Sequence, residues 1–355
     1  MIVLDKKLVA DNEKAYIIAE IGNNHMGSKL YACEMIEAAA KNGANAVKFQ
    51  KRNNETLFIP KLYNQPYLNK NSFGKTYGEH RKFLEFTETD YIDLIECAHR
   101  NHITLFATPF DIESVNFIKK LDFPIVKIQS ADIDNIKLIE AACDLGIPLI
   151  VSTGGAYFED IRRAYEFIIE RQNSLVIMHC VAMYPTKAYN MSLKIIEVLK
   201  KEFPAATIGF SSHYNGILAS VGAYMCGANV IEQHFTLDHT AKGTDHALSL
   251  QPAGLSELRH YLDELYYMRR DDCEKFIQIE QQKENIAKLG KSLYFKHNVK
   301  KNTILSFENI CMQSPKDKSG TSIAYFCEIE KENITVKRNC QKGELLTNKI
   351  FKGDE

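Results

Sequence analysis

Residues 124–154, PIVKIQSADIDNIKLIEAACDLGIPLIVSTG, contain the pattern that decides the fold. The apolar run PIVKIQS, rich in β-branched residues, predicts a buried strand, and NIKLIEAACDLG has apolar residues at helical spacing. PLIVSTG then predicts a second strand. Gly146 stands just past the helical segment, where a left-handed C-cap is expected. The stretch therefore predicts a strand–helix–strand unit with parallel strands.

The same unit recurs on both sides of this stretch. The other strand-like runs are AYIIAEIG from Ala15, AVKFQK from Ala46, TLFATPF from Thr104, LVIMHCVA from Leu175, ATIGFSS from Ala206 and VIEQHFTL from Val230. A helical segment follows each run, and Gly43 and Gly227 occupy C-cap positions like that of Gly146. Eight βα units predict an α/β fold of the TIM (β/α)8 barrel type over residues 1–270, because such barrels take ~250 residues.

Two segments depart from this alternation. About 36 residues, 52–88, separate the second strand from its helix, and insertions of this length are usually lids or interface loops. After the barrel we predict a charged linker at 271–287 and a small β-rich domain at 288–355, with strands in SLYFKH, NTILSF and NITVKRN. A domain of this size is marginal alone, so we expect it to dock on something.

Composition excludes several classes of protein. Forty-four basic and forty-five acidic side chains give a formal charge of -1, so no overall field favours nucleic acid or an anionic membrane as a partner. The N-terminus does not resemble a signal peptide and no run approaches the ~20 apolar residues of a membrane helix, so we expect a cytoplasmic protein. Nine cysteines without a CxxC pair predict reduced thiols and no thiolate zinc site.

Polar residues stand near the ends of the predicted strands, where active sites of such barrels lie. They are Glu20, Lys48, Gln50, Thr108, Lys127, Ser130, Ser152, His179, Ser211, His213, Glu232 and His234. Because side chains alternate along a strand, Lys48 and Gln50 share one face, as do Glu232 and His234. His179 and Cys180, being neighbours, point to opposite faces, which argues against a cysteine nucleophile activated by that histidine.

Lys48 and Lys127 each interrupt an apolar strand. A buried ammonium group needs an anionic partner, which here is either an internal carboxylate, Glu20 or Glu232, or a bound ligand. Two lysines on separate strands, with several hydroxyl groups beside them, favour a small and multiply charged anion. A phosphate that also bears a carboxylate would suit this arrangement.

His213 and His234 end neighbouring strands, close enough for both imidazoles to bind one divalent metal. Their spacing matches no local metal motif, so hydrogen-bonded structural histidines remain the alternative. Glu20 and Glu232 favour the metal, since carboxylates on adjacent strands could bind its water or orient its ligands. Two protein ligands would leave positions open for water and substrate, as a catalytic ion requires.

Several longer motifs resemble the sialic acid synthase family. They are AEIGNNHMGS from Ala19, FGKTYGEHRKFLEF from Phe73, TPFD from Thr108, VKIQSAD from Val126, HCVAMYPT from His179, IGFSSH from Ile208 and IEQHFTLDHTAKGTDHALSLQP from Ile231. KLGKSLYF from Lys288 and the segment KRNCQKGELLT resemble the antifreeze-like (SAF) domain that follows the barrel in these enzymes. The likeness covers nearly the whole chain.

This resemblance implies a transferase that condenses phosphoenolpyruvate with an N-acetylated amino sugar such as N-acetylmannosamine. The product would be a nine-carbon 2-keto acid, with release of phosphate. By motif, His213 and His234 match the ligands of a divalent metal (Mn²⁺, Mg²⁺ or Co²⁺, which cannot be ranked), and Glu20 matches the carboxylate beside it. The phosphoenolpyruvate pocket corresponds to Lys48, Thr108, Lys127, Ser130, Ser152 and Ser211, with Glu232 beside it, and the sugar-side positions to Gln50, Tyr184 and Asp245.

The resemblance also implies a domain-swapped homodimer, in which the tail of one subunit covers the barrel of its partner. The family's tail can supply an arginine there, and the best match in this chain is Lys291. A second departure is Cys180-Val181-Ala182, where bacterial members commonly carry polar residues after the cysteine. This difference leaves the sugar undefined.

Two other functions stay open. One is a phosphoenolpyruvate condensation with a phosphosugar, of the heptulosonate or octulosonate kind, against which the TYGEHR insertion and the tail argue. The other is a sugar-binding barrel without catalysis, since fold alone does not fix function. The retained histidines, lysines and Glu20 argue against that reading.

Overall fold

Eight parallel strands close into a barrel in the computed structural model, which describes residues 1–11, 13–172, 174–269 and 280–352. They are β1 (Tyr16–Gly22), β2 (Ala46–Lys51), β3 (Thr104–Pro109), β4 (Val126–Ile128), β5 (Leu149–Ser152), β6 (Leu175–Cys180), β7 (Thr207–Ser212) and β8 (Val230–His234). Each strand pairs with the next, and β8 closes the barrel on β1. The predicted (β/α)8 barrel is therefore confirmed.

A helix follows each strand and packs outside the barrel. These helices are Lys29–Lys41, Glu88–Arg100, Ile112–Lys120, Ile136–Cys143, Phe158–Ile169, Ile195–Glu202, Leu218–Met225 and Pro252–Met268. Consecutive strand residues serve two cores: Ile17 belongs to the layer between strands and helices, whereas Ile18 packs with Phe106 in the barrel interior. Gly43, Gly146 and Gly227 have φ of +89°, +67° and +102°, as their C-cap positions predict.

Both ends of the barrel carry additions. An N-terminal hairpin, Ile2–Leu4 with Lys7–Val9, which the sequence patterns did not predict, adds Ile2, Leu4 and Val9 to the interior core. The insertion after β2 forms three short helices, Asn54–Leu57, Pro60–Tyr63 and Tyr77–Leu84. Short 3-10 turns follow β4, β6 and β8 at Ser130–Asp132, Ala188–Asn190 and His246–Leu248. Ser130–Asp132 comes almost directly after its strand, and the other two turns lie within the longer loops that follow β6 and β8.

The chain divides into two compact units, 1–270 and 271–355. In the second unit the described residues form the helix Glu280–Leu289, antiparallel strands Ser292–Phe295 and Ile310–Gln313, the helix Ile323–Ile329, a 3-10 turn Glu330–Glu332 and the helix Lys349–Lys352. Of the predicted linker 271–287, residues up to 279 lie outside the described part, and the remainder is helical. The second unit has its own apolar core, which includes Leu293 and Phe326.

One of the three strands predicted in this unit is confirmed, namely SLYF. NTILSF and NITVKRN were wrong as full strands: a few backbone hydrogen bonds join them, such as that from Leu305 N to the Ile334 carbonyl oxygen, but they form only the isolated bridge Ile304–Thr335 and no ladder. Asn302 and Asn333 have φ of +68° and +53°, a left-handed backbone that interrupts regular strand geometry at the start of each segment. Within the described ranges, no helix has both the length and the apolar character needed to cross a bilayer.

Candidate active site

A cavity of about 620 Å³ opens at the carboxyl ends of the barrel strands. Residues from all eight βα units line it, as expected for this fold. The sequence-predicted residues among them are Glu20, Lys48, Gln50, Thr108, Lys127, Ser130, Ser152, Tyr184, Ser211, His213, Glu232, His234 and Asp245. Two candidates are not among them: His179 lies outside the cavity lining, and Lys291 belongs to the second unit, where it is exposed and directly precedes the strand Ser292–Phe295.

Two buried ion pairs form the floor of this cavity. Lys48 contacts Glu20, its register partner on the neighbouring strand β1, and donates to Thr108 Oγ1 at 3.0 Å. Lys127 Nζ reaches Glu232 Oε1 at 2.5 Å, joining β4 to β8. All four charged side chains are at most 5% exposed. Internal carboxylates are thus the resident partners of both lysines, which was one of the two possibilities that the sequence left open.

Some buried polar atoms at the floor of the cavity nevertheless have no hydrogen-bond partner among the described residues. Burial alone would raise the pKa of Glu232, but Lys127 and Lys48 outweigh it and lower that pKa to about 2. Ser211 donates to Glu232 Oε1 at 3.1 Å, whereas Oε2 of the same carboxylate and Oγ of Ser152 are buried without a hydrogen-bond partner among the described residues. Buried polar atoms are normally satisfied, so these atoms are available to water or to a bound polar ligand.

The two imidazoles lie side by side, with ring centroids 5.3 Å apart. His213 Nδ1 is 2.7 Å from the carbonyl oxygen of Val181, which fixes Nδ1 as the donor and leaves Nε2 with a free lone pair. His234 Nδ1 is buried without a hydrogen bond and lies 3.8 Å from Asp245 Oδ2. Burial, aided by the nearby His234, lowers the pKa of His213 to about 4, so this ring is neutral near pH 7.

These features suit a cation held by two protein ligands. Neutral imidazoles with unshared nitrogen lone pairs are the form that binds a divalent metal. Among the residues that the structure describes, no group of three or more His, Cys, Asp or Glu side chains is arranged to hold a metal ion. An ion held by His213 and His234 would therefore complete its coordination shell with water or substrate.

Comparison with known proteins identifies the family. The NeuB family profile matches residues 35–272, more than half of the chain. The chain belongs to the NeuB family. It is 38% identical over 257 residues to an N-acetylneuraminate-9-phosphate synthase of Drosophila melanogaster, which covers 72% of this chain and 68% of that protein. The resemblance to sialic acid synthases is thereby confirmed.

Two further relatives match over most of their length. An N,N'-diacetyllegionaminic acid synthase of Campylobacter jejuni is 33% identical over 338 residues, 94% of this NeuB-family chain and 99% of that one. A crystal structure of the N-acetylneuraminic acid (sialic acid) synthetase of Leptospira borgpetersenii in complex with citrate superposes with a TM-score of 0.70 at 32% identity. That match covers 80% of this chain and 94% of the other.

Sequence reasoning missed several residues that line the cavity. Arg52 lies four residues beyond Lys48 in the same strand direction, so the alternation that selected Lys48 and Gln50 could have found it. Arg81, from the helix Tyr77–Leu84, carries no such signal because the insertion has no strand periodicity. Asn23 and Phe110 also line the cavity, just beyond β1 and β3.

The predicted opposition of His179 and Cys180 is confirmed. Cys180 lines the cavity with its sulfur 3.9 Å from His213 Nδ1, whereas His179 Nε2 is 2.7 Å from the carbonyl oxygen of Met191, outside the cavity lining. Burial raises the pKa of the Cys180 thiol, which keeps it protonated. Neither residue forms a cysteine–histidine nucleophile with its neighbour.

Proposed function

We propose that this NeuB-family protein condenses phosphoenolpyruvate with an N-acetylated amino sugar, giving a nine-carbon 2-keto acid and phosphate. The observation that supports this most is the joint lining of one cavity by two buried lysines, three serine hydroxyls and two neighbouring imidazoles. The similar proteins from Drosophila and Campylobacter are named N-acetylneuraminate-9-phosphate synthase and N,N'-diacetyllegionaminic acid synthase. These substrates would need a pocket that binds the anionic phosphoenolpyruvate and a second group that activates the aldehyde of the sugar.

Charge favours an anionic substrate in the cavity. Its lining contains four cationic side chains, Lys48, Arg52, Arg81 and Lys127, against three carboxylates, Glu20, Glu232 and Asp245. The excess is positive although the whole chain has a formal charge of -1. Lys48 and Lys127, with the free hydroxyl of Ser152, would bind the phosphate and carboxylate of phosphoenolpyruvate.

The reaction forms one carbon–carbon bond and one bond from C2 to the oxygen of water, and it breaks the bond from C2 to the phosphate oxygen, while a proton from the water balances the one taken up by the aldehyde oxygen. C3 of phosphoenolpyruvate attacks the aldehyde carbon of the open-chain sugar, and water adds to the cationic C2 that develops. Phosphate then leaves C2, which becomes the keto carbon. Glu20 is suited to position that water, because its Oε1 is fixed by Gln50 Nε2 at 3.0 Å, and the two lysines would balance the departing charge.

We propose further that His213 and His234 hold a divalent cation, which would polarise the aldehyde oxygen when bound. Titration of metal-free protein with Mn²⁺ in a calorimeter measures this directly. Wild type should bind one ion per chain, and His213→Ala should lose most of the affinity while keeping its melting temperature. Equal binding by both proteins would contradict the assignment.

The function is tested by phosphate release from phosphoenolpyruvate with a panel of 2-acetamido sugars, and by mass spectrometry of the product. Four- and five-carbon aldose phosphates in the same panel test the heptulosonate and octulosonate alternative. Phosphoenolpyruvate labelled with ¹⁸O at the bridging position should deliver its label to phosphate, because the C2–O bond breaks. Sugar binding without phosphate release from any substrate would instead indicate a non-catalytic barrel.

A further inference from the structure

Polar neighbours fix the side-chain amide of Gln50 from several sides. Its Oε1 accepts hydrogen bonds from Asn23 Nδ2 at 3.1 Å and from the Arg52 guanidinium, and its Nε2 donates to Glu20 Oε1 at 3.0 Å. The backbone carbonyl oxygen of Gln50 also accepts from the hydroxyl of the buried Tyr91 at 2.9 Å. The protein itself therefore holds both the main chain and the side chain of this residue.

The chemistry of these partners allows one orientation of the amide. A guanidinium group can only donate hydrogen bonds, and a carboxylate paired with an ammonium group, as Glu20 is with Lys48, accepts them. The amide oxygen of Gln50 must therefore face Arg52, and the amide nitrogen must face Glu20. Because Oε1 already accepts two hydrogen bonds and Nε2 donates one, Gln50 has a single N–H left for a ligand.

Glu20 is held through both of its carboxylate oxygens. Oε1 accepts from Gln50 Nε2, and Oε2 contacts the Lys48 ammonium. A lysine ammonium is a compact point charge that imposes no plane, whereas a hydrogen bond from an amide N–H is directional. The bond from Gln50 therefore determines which way the plane of the Glu20 carboxylate faces.

The backbone of β1 leaves room for this hydrogen bond. The register between β1 and β2 shifts between Glu20 and Gly22, as at a β-bulge, and bulges beside active sites commonly redirect a side chain. Gly22 has φ of +55°, and a Cβ there would lie 2.9 Å from Glu20 Oε1 and 3.4 Å from Gln50 Nε2. A side chain at position 22 would thus press on the two atoms that form the bond.

Two adjacent asparagines hold the loop that follows β1. Asn23 reaches Gln50 on β2. Asn24, which is buried, donates from Nδ2 to the Phe235 carbonyl oxygen and to Ser249 Oγ, both at 2.9 Å and both beyond the end of β8. Since β2 and β8 are the two neighbours of β1 in the barrel, the loop is attached on both sides, which keeps Asn23 within reach of Gln50.

We propose that Asn23 and Gln50 are positioning residues for Glu20, and that Gln50 acts through this carboxylate rather than as a ligand of the sugar. The inference rests on the proposed condensation, in which Glu20 positions the water that adds to C2. Asn23 and Arg52 fix the amide of Gln50, and that amide orients the carboxylate toward the water. The family resemblance assigns Gln50 to the sugar side instead, so the two roles predict different kinetics.

Steady-state kinetics test this role, with phosphoenolpyruvate and the acetamido sugar of the panel that wild type turns over fastest. Gln50→Met keeps the length of the side chain but removes the donor. It should lower kcat at least about tenfold, while the KM of either substrate changes less than about threefold. Asn23→Ala should show a smaller defect of the same kind.

Gln251→Met is the matched control and should keep wild-type kinetics. Gln251 is also partly buried and also donates from Nε2, but to the Leu237 carbonyl oxygen at 3.1 Å, and it does not line the cavity.

Gly22→Ala changes the same hydrogen bond without removing a donor. Its Cβ should displace Glu20 Oε1 and reproduce the selective loss of kcat. Gly146→Ala controls for backbone strain, because Gly146 has a similar φ of +67° and nothing within 4 Å of an added Cβ. In a Glu20→Gln background, Gln50→Met should lower the residual rate less than about twofold, because the carboxylate that it orients is already lost. Where that rate is below detection, the single variants decide.

A rise in the sugar KM of Gln50→Met with unchanged kcat would assign Gln50 to the sugar and overturn the inference. Losses that multiply in the double variant would overturn it too, as would a Gly22→Ala enzyme with wild-type kcat. A wild type that turns over no sugar of the panel would instead defeat the proposed condensation itself, and this role with it. Melting temperatures show that each variant is folded, and a loss of kcat no larger than the unfolded fraction would indicate a structural role alone.

Discussion

Lys127 offers the sharpest test among single residues, because it is both a substrate-binding candidate and half of a buried ion pair. Lys127→Ala removes a cation from the anion pocket and should raise the KM for phosphoenolpyruvate far more than that for the sugar. The charge-assisted bonds lost correspond to about 2–3 kcal/mol, or about 30- to 150-fold in kcat/KM. Initial rates with each substrate varied in turn measure the effect.

Stability must be separated from binding in this variant. Lys127→Ala also leaves Glu232 buried with Lys48 Nζ at 3.9 Å as its remaining cation, which should lower the free energy of unfolding by about 3–5 kcal/mol. The double variant Lys127→Ala/Glu232→Gln should recover part of that loss, because it no longer buries an under-compensated charge. Kinetic defects confined to the sugar would refute the assignment of Lys127.

His25, in the loop after β1, is buried and stacks on Phe86 with ring centroids 4.1 Å apart. Burial lowers its pKa to about 3, from the usual 6.5. Below pH 6.5 the imidazole is therefore protonated in the unfolded chain, whereas in the folded chain it stays neutral down to about pH 3. The contribution of His25 to the free energy of unfolding is complete above pH 6.5 and decreases as the pH falls from 6.5 to about 3.

Replacing His25 should remove its contribution to the pH dependence of the free energy of unfolding. Between pH 6 and 4, His25→Asn should lose stability less steeply than wild type, by up to about 1.4 kcal/mol per pH unit. Asparagine can still accept the Gly27 N–H that His25 Nδ1 accepts at 3.1 Å. Urea unfolding at several pH values measures both slopes. Parallel curves would show that His25 is protonated in the folded protein.

At the scale of elements, the helix ends show what a glycine contributes. Gly43 and Gly146 both have positive φ, so alanine at either position should cost about 1–2 kcal/mol of strain. A Cβ at Gly43 would also lie 2.5 Å from Arg259 Cγ, whereas nothing is within 4 Å at Gly146. Arg259 donates to the Ala15 carbonyl oxygen and pairs with Asp263, so it cannot move away freely.

Gly43→Ala should therefore lower the free energy of unfolding by about 1–3 kcal/mol more than Gly146→Ala does. Urea denaturation of the two single variants makes the comparison, with Gly146→Ala as the matched control for backbone strain. Equal losses would mean that Arg259 adjusts without cost.

The barrel elements were predictable and the small elements were not. Strands such as Leu149–Ser152 are buried on both faces, which leaves nearly continuous apolar runs that the sequence shows directly. In the tail, Ile310–Gln313 is a half-exposed strand and Ile323–Ile329 a helix of seven residues, too short for either periodicity to stand out. The N-terminal hairpin has three-residue strands and was missed for the same reason.

At the scale of the whole molecule, the position of a residue along its barrel strand determines whether its side chain faces the cavity. Alternation along single strands was enough to predict which side chains face the cavity, as for Gln50 and His234. Alternation does not tell which carboxylate reaches which lysine: Lys127 and Glu232 are 105 residues apart and meet across the barrel. Arg81 enters from an insertion whose placement depends on tertiary packing, so sequence periodicity could not find it.

The role of the second unit is the prediction that belongs to the assembled protein. By family resemblance we propose a homodimer in which the tail of each subunit, with Lys291, completes the partner's sugar site. Lys291→Ala and His234→Ala homodimers should then both be weakly active, the first because its tail is defective and the second because its barrel is. Refolding the two chains together creates hybrids in which the intact barrel of the Lys291→Ala chain meets the intact tail of the His234→Ala chain.

One of the two sites in such a hybrid contains every residue it needs. An equimolar mixture should therefore regain about a quarter of wild-type activity, because about half of randomly paired dimers are hybrids with one competent site each. If each tail instead served its own barrel, both sites of the hybrid would be defective and mixing would restore nothing. Normal activity of Lys291→Ala alone would exclude this lysine, and an active enzyme that sediments as a monomer would exclude the exchange, since a single chain has no partner to complete its site.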